Sequence, residues 1–213
     1  MNVRFSRREV TDLSIAWVAL GVAFTAFYYN PELRALIAGI QTSVALERLA
    51  VGFVISMVTA GIGFLLHELA HKIVAIHYDQ VAEFRADYNM LFLAVMGALA
   101  GFLFAAPGAV YHRGRLTARE HGLIALAGPV TNALLAVVFL PVFFLGVLVG
   151  SDFLALAGSR GLTINLFLAT FNMLPFGPLD GKTVLGWSKT VFAGFFVPAL
   201  LLTIGAFVVG FGF

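Results

Sequence analysis

The 213-residue chain is 61% hydrophobic and only 11% charged, with a mean hydropathy of +0.97. A soluble domain is about half apolar and about a quarter charged, so most of this surface must face lipid. The net charge of +2, carried in short basic clusters between apolar runs, excludes a nucleic-acid binder, and the absence of cysteine excludes disulfides and thiolate metal sites.

Crossing the hydrocarbon of a bilayer takes roughly 20 apolar residues. In chain order the runs that qualify are 12–29, 49–76, 122–150, 162–176 and 190–213. The first is long enough to remain as an anchor rather than a cleaved signal. Residues 30–48 form a mixed connector holding Glu32, Arg34, Glu47 and Arg48. Pro141 is expected to bend or break the third run. The fourth is short, which predicts that it ends within the membrane depth. No soluble domain, repeat or low-complexity stretch stands out. The expectation is a single integral membrane domain over 1–213, with its core at 49–182, all-α and polytopic, with about five or six transmembrane helices.

Residues 88–106 are apolar enough to span, yet Gly97, Gly101, Pro107 and Gly108 are breakers that suit a hairpin. Arg4, Arg7 and Arg8 place the N-terminus inside, so 49–76 runs from outside to inside and Lys72 and Arg85 fall inside. Arg113, Arg115 and Arg119 also read as inside, as do Lys182 and Lys189. Both sets agree only if 88–106 enters and leaves on one side. The expectation is therefore a re-entrant or short β element after the histidine-bearing helix.

That helix reads Phe64-Leu65-Leu66-His67-Glu68-Leu69-Ala70-His71, an H-E-x-x-H pattern inside an apolar run. Residues i and i+4 share a face, so both imidazoles can reach one ion. Zinc accepts imidazole nitrogen at about 2.0–2.1 Å. Glu68, offset around the helix, can hold a water without ligating the metal. Two histidines and a glutamate at membrane depth cost on the order of several kcal/mol unless paired, which makes a chance match expensive. Upstream on the histidine face, Ala60 and Gly63 allow a neighbouring helix to approach closely.

A catalytic zinc site usually has three protein ligands and an open position. Asp79, Glu83 and Asp87 sit in a polar loop as solvated charge, and His77, His112 and His121 lie at helix ends or in loops. Asp180 differs, because Pro175, Gly177, Pro178 and Gly181 surround it with broken backbone. Irregular backbone is tolerated at membrane depth only when buried in protein or lining a wet cavity. The re-entrant topology puts His67, His71 and Asp180 on the same, cytoplasmic side. A full crossing by 88–106 would separate them across about 30 Å of hydrocarbon.

With these elements in place the chain resembles the site-2 protease family of intramembrane zinc metalloproteases. His67-Glu68-Leu69-Ala70-His71 looks like the family's zinc helix. Gly128-Pro129-Val130-Thr131-Asn132 looks like its G-x-x-x-N element, also a helix-packing pattern. Residues 172–181 resemble its N-x-x-P-x-x-x-x-D-G element. Lys182 departs from members with a second glycine after D-G, no PDZ-like or nucleotide-sensing domain is expected, and 88–106 is longer and more apolar than a membrane-associated β-hairpin. The resemblance implies one zinc per chain on His67, His71 and Asp180, with Glu68 as general base towards a zinc-activated water. Asn172 or Asn132 can donate to the oxyanion or the substrate backbone, or can instead make an interhelical hydrogen bond.

The implied activity is a zinc metalloendopeptidase that cuts single-pass transmembrane proteins or peptides in regulated intramembrane proteolysis. Its implied location is the cell membrane, multi-pass, with the N-terminus and active-site side cytoplasmic. A helix hides its carbonyls, so substrate must unwind, and residues 108–111 are a candidate edge strand for pairing with it. The competing classes are a membrane zinc transporter or metal-binding sensor, which would need polar residues at several depths, and an inactive scaffold binding transmembrane helices, against which an intact Glu68 argues. Neither substrate identity nor oligomeric state is legible.

Overall fold

The computed structural model describes residues 3–40, 42–103 and 108–211. Its elements are α1 (Arg7–Tyr28), α2 (Asn30–Ile37), α3 (Thr42–Ser56), α4 (Ile62–His77), β1 (Val81–Ala86), α5 (Tyr88–Leu99), β2 (Gly108–Arg113), α6 (Ala118–Val149), α7 (Asp152–Asn172), α8 (Asp180–Trp187) and α9 (Lys189–Val208). Among the described residues five helices are long and apolar enough to cross a membrane: α1, the continuous Thr42–His77, α6, α7 and α9. The expected tail of the last run, Gly212 and Phe213, lies outside the described residues.

Helix ends follow local chemistry. Ser6 Oγ caps α1 by accepting from the Glu9 amide at 3.0 Å. Thr117 and Glu120 form a reciprocal capping box at α6: Thr117 Oγ1 accepts from the Glu120 amide and Glu120 Oε2 from the Thr117 amide. Gly150 ends α6 at φ 67, a left-handed position that glycine occupies without strain. The turn is tight, because Gly146 lies against the Ala155 backbone and Gly158 against that of Phe143, where any Cβ would collide.

Three expectations are corrected. The second span begins at Thr42 rather than residue 49, because the supposed connector 30–48 supplies α2 and the first turns of α3. The fourth begins at Asp152 rather than residue 162 and ends at Asn172, so it is 21 residues, about 31 Å, and not short. Arg160 lowered its apparent hydropathy, yet that side chain is buried. The third run does not break at Pro141: α6 continues for 32 residues through Pro129 and Pro141.

The chain divides into two compact units. One comprises Met1–Phe5, Gly63–Glu83 and Val110–Phe213, and holds α6 to α9 with the histidine-bearing α4. Within it α7 is the interior helix, 67% of its apolar window being buried against 17% for α6 and α9. Thr170 and Thr203 share a hydroxyl hydrogen bond between α7 and α9 at 2.8 Å. In the same unit Lys72 Nζ donates to the Arg4 carbonyl at 2.7 Å and lies over the Phe5 ring.

The other unit, Ser6–Ile62 with Phe84–Ala109, holds α1 to α3 and α5. Residues Met57–Gly61 form a π-helical turn. Its loosened carbonyl at Met57 accepts from Trp17 Nε1 at 3.1 Å, and Gly61 makes room for that indole. Two buried carboxylates on α1 fix the approach to α5: Glu9 Oε1 accepts from the Phe84 amide at 3.0 Å, and Asp12 Oδ1 from the Tyr88 hydroxyl at 2.6 Å.

β1 and β2 form a two-stranded sheet. Gly108, at the start of β2, abuts Arg85 and Ala86 at the end of β1, whereas Gly114 abuts Gln80, so the strands run antiparallel. The chain thus returns to where it left. Between the strands, α5 is a twelve-residue helix about 18 Å long, shorter than the hydrocarbon thickness. The expected breaker Pro107 and the end of 88–106 lie outside the described residues. Single cysteines introduced as Arg85→Cys and Arg113→Cys are expected to label from the same side of the membrane. Opposite-side labelling would show that the intervening segment crosses fully.

Candidate metal centre

On α4, His67 and His71 stand one turn apart with their Nε2 atoms 2.9 Å from each other. Each ring is held from behind. His71 Nδ1 lies 2.7 Å from the Ile124 carbonyl, which can only accept, so Nδ1 carries the proton. His67 Nδ1 lies 2.6 Å from Asn132 Oδ1 and is protonated by the same logic. Both Nε2 atoms therefore present lone pairs to one point. Asp180 Oδ2, at the first turn of α8, lies 3.3 Å from each of them.

Three acceptor atoms in so small a buried triangle repel one another unless a cation lies among them. Their spacing suits ligands about 2.0–2.1 Å from one ion, and two imidazoles with a carboxylate are a donor set that zinc takes. Among the described residues this is the group of three or more such side chains able to hold a metal. Gly128 provides the space, since a Cβ there would enter between the two Nε2 atoms. Gly181 lets α8 begin hard against the Met173 carbonyl at the end of α7, which brings Asp180 to the histidines.

Asn132 is fully buried and spends its amide within the protein. Its Nδ2 donates to the Gly63 carbonyl at 3.1 Å and to Asn165 Oδ1 at 2.9 Å. Of the two alternatives for Asn132, these bonds are those of the interhelical one, behind His67. Asn165, absent from the sequence-based candidates, completes the chain by donating to the Gly161 carbonyl at 2.9 Å. An asparagine in the middle of an apolar helix was the available signal. Such outer partners set a ligand's tautomer and orientation. Asn172 Nδ2 donates to the Leu168 carbonyl at 3.0 Å, and Asn172 is half-buried at the end of α7.

Glu68 is buried beside His67, and its Oε2 has no hydrogen-bond partner among the described residues. A carboxylate oxygen so placed is ready for a proton or a donor from an incoming molecule. The remaining candidates are not part of the His67, His71 and Asp180 group. Asp87 caps α5, accepting from the Asn89 and Met90 amides at 3.0 Å each. Asp79 takes the left-handed turn position after α4 at φ 57, and His77 closes that helix. His112 stacks edge-on to His121 at 5.5 Å, and burial, then His121 and His71, lower its pKa.

His67→Ala or His71→Ala is expected to reduce zinc from about one ion per chain to nearly none. Gly128→Val is expected to do the same without removing a ligand, because its side chain occupies the ion's place. Metal analysis of the purified proteins measures both, and full zinc in Gly128→Val would contradict the placement.

No family model matches the chain, and no solved structure matches it. Among curated proteins, "Putative zinc metalloprotease MJ0611" of Methanocaldococcus jannaschii is 42% identical over 192 residues, covering 89% of this chain and 90% of that protein. "Putative zinc metalloprotease YwhC" of Bacillus subtilis is 36% identical over 149 residues, covering 61% of this chain and 66% of that protein. Zinc also fits the His-His-Asp donor set. On that likeness, which extends over nearly the whole of both chains, the protein belongs to the family of these zinc metalloproteases.

Proposed function

We propose that the protein is an intramembrane protease of the site-2 type, cutting peptide bonds in or near the transmembrane segments of single-pass proteins. The observation that carries this reading is Glu68: a buried carboxylate with an unpartnered oxygen, adjoining the His67, His71 and Asp180 cluster on a helix apolar enough to cross the membrane. Basic residues favour a multi-pass cell-membrane protein with its N-terminus and active-site side cytoplasmic.

His67, His71 and Asp180 would hold the zinc, which when bound polarises a carbonyl and lowers the pKa of water towards neutrality. Glu68 accepts the proton released on attack and delivers it to the leaving amine. Asn132 and the Ile124 carbonyl keep the two imidazoles in the ligating tautomer throughout. Asn172 retains a second amide hydrogen beyond its bond to Leu168, so it is the remaining asparagine candidate for a donor to substrate. The strand β2 offers a backbone edge to an extended peptide.

Glu68→Gln is expected to keep its zinc and lose turnover by at least about a hundredfold, since an amide cannot take the proton. Loss of zinc from this variant would instead make Glu68 a ligand.

Substrate choice follows from the bilayer. A lipid-embedded helix keeps its carbonyls bonded, so local opening must precede cleavage. Glycine weakens a helix by about 1 kcal/mol relative to alanine, and proline by about 3. In single-pass substrates differing only two to four residues from the cut, Gly or Pro is expected to raise the rate over Ala or Leu. Equal rates, with opening or chemistry shown to be limiting, would favour recognition of a fixed side-chain sequence.

A further inference from the structure

A cavity of about 470 Å³ has walls that include His121, Pro178, Leu179, Lys182, Thr183 and Trp187. Its link to the metal centre runs through α8: Leu179 and Lys182 flank Asp180 and Gly181 in the chain, and Thr183 stands three residues after Asp180, a spacing that makes neighbours on a helix surface. The far wall is firm, because the Trp187 indole packs against Gly122 so closely that a Cβ there would strike it. A volume of this size is within the range of ligand sites, about 300–1,000 Å³.

The chemistry of the lining has one sign. No carboxylate is among the lining residues. Lys182 is exposed and, among the described residues, no hydrogen bond or ion pair engages its ammonium group. His121 and the Thr183 hydroxyl add hydrogen-bonding capacity, and Leu179, Pro178 and Trp187 supply apolar surface. Because Leu179 and Lys182 flank Asp180, a peptide held at that carboxylate could lay a flanking residue along these walls.

We propose that this cavity is a substrate subsite for an acidic side chain near the scissile bond, with Lys182 as its charge partner and Leu179 and Trp187 packing its methylenes. The inference rests on the proteolytic reading above and adds a specificity to it. It also gives a role to the lysine that follows Asp180 and Gly181, a position that the metal chemistry leaves unused.

The test uses the full-length, zinc-loaded protein and model single-pass substrates carrying Glu, Gln or Lys at each position within three residues of the cut. At one position, on one side of the bond, kcat/KM for Glu is expected to exceed that for Lys by about five- to tenfold, the scale of a partly exposed charge pair changed from attraction to repulsion. Lys182→Glu reverses that ratio and Lys182→Met removes it, with zinc content in each variant reporting an intact centre. An unchanged ratio in both variants, or an acidic preference spread equally over all positions, overturns the subsite. Cleavage of the whole series at equal rates leaves proteolysis standing and overturns the subsite alone. If the wild-type protein cuts no member, the proteolytic reading fails and the subsite falls with it.

Discussion

The Nδ1 protons of His67 and His71 are committed to oxygens that cannot release them, an amide oxygen on one side and a main-chain carbonyl on the other. That commitment drives two lone pairs together at 2.9 Å, with a carboxylate oxygen 3.3 Å from each, in a buried place. Such a cluster is a donor set able to hold a cation. The neighbouring architecture serves the same cluster. Gly128 leaves the imidazoles their space, Gly181 lets the carboxylate arrive, and the Asn132 and Asn165 amides carry the polarity of His67 on to a helix carbonyl.

Helices as long and apolar as these, if they lie in lipid, must associate without a hydrophobic drive between them, since lipid is as apolar as leucine. Close approach and internal hydrogen bonds replace it. Gly146 and Gly158 bring α6 and α7 into backbone contact, and Gly63 brings α4 against Asn165. Hydroxyls on the interior helix are bonded locally or across: Thr163 to the Ser159 and Phe211 carbonyls, Thr170 to Thr203. The spanning-length helix most buried within the protein is thus the one that supplies Asn165.

The parts legible in the sequence are those with local signals. His67 and His71 are four apart on one apolar helix, and Asp180 follows a cluster of prolines and glycines that no lipid-exposed segment tolerates. Both signals led to the cluster that the structure assembles. The strand at 108–111 was marked by its flanking breakers, and β2 covers it. What failed was anything set by a distant partner. The fourth run was read from residue 162, whereas α7 begins at Asp152 and buries the charged Arg160 within it. Asn165 has no motif around it, and its importance arises from Asn132, 33 residues earlier. The role of Asn132 was left open between substrate and interhelical bonding, because only the position of its neighbours decides it.

The G-x-x-x-N spacing shows how one pattern acquires meaning from what it faces. Four residues along a helix returns the chain to the same side, so Gly128 and Asn132 look towards the same neighbour. In a plain helix pair the glycine would serve only close packing. Here the neighbour is the His67 and His71 pair, and the two residues divide the work: the absent side chain of Gly128 leaves room for both imidazoles, and the amide oxygen of Asn132 fixes the ring of one of them. Neither needs to touch a substrate to govern the chemistry. Glu68 is the complement of that design, lying on the same helix as the histidines with a buried oxygen left without a partner. The protein spends its hydrogen bonds on fixing the two imidazoles and leaves an oxygen of Glu68 free, as the proposed general-base role needs.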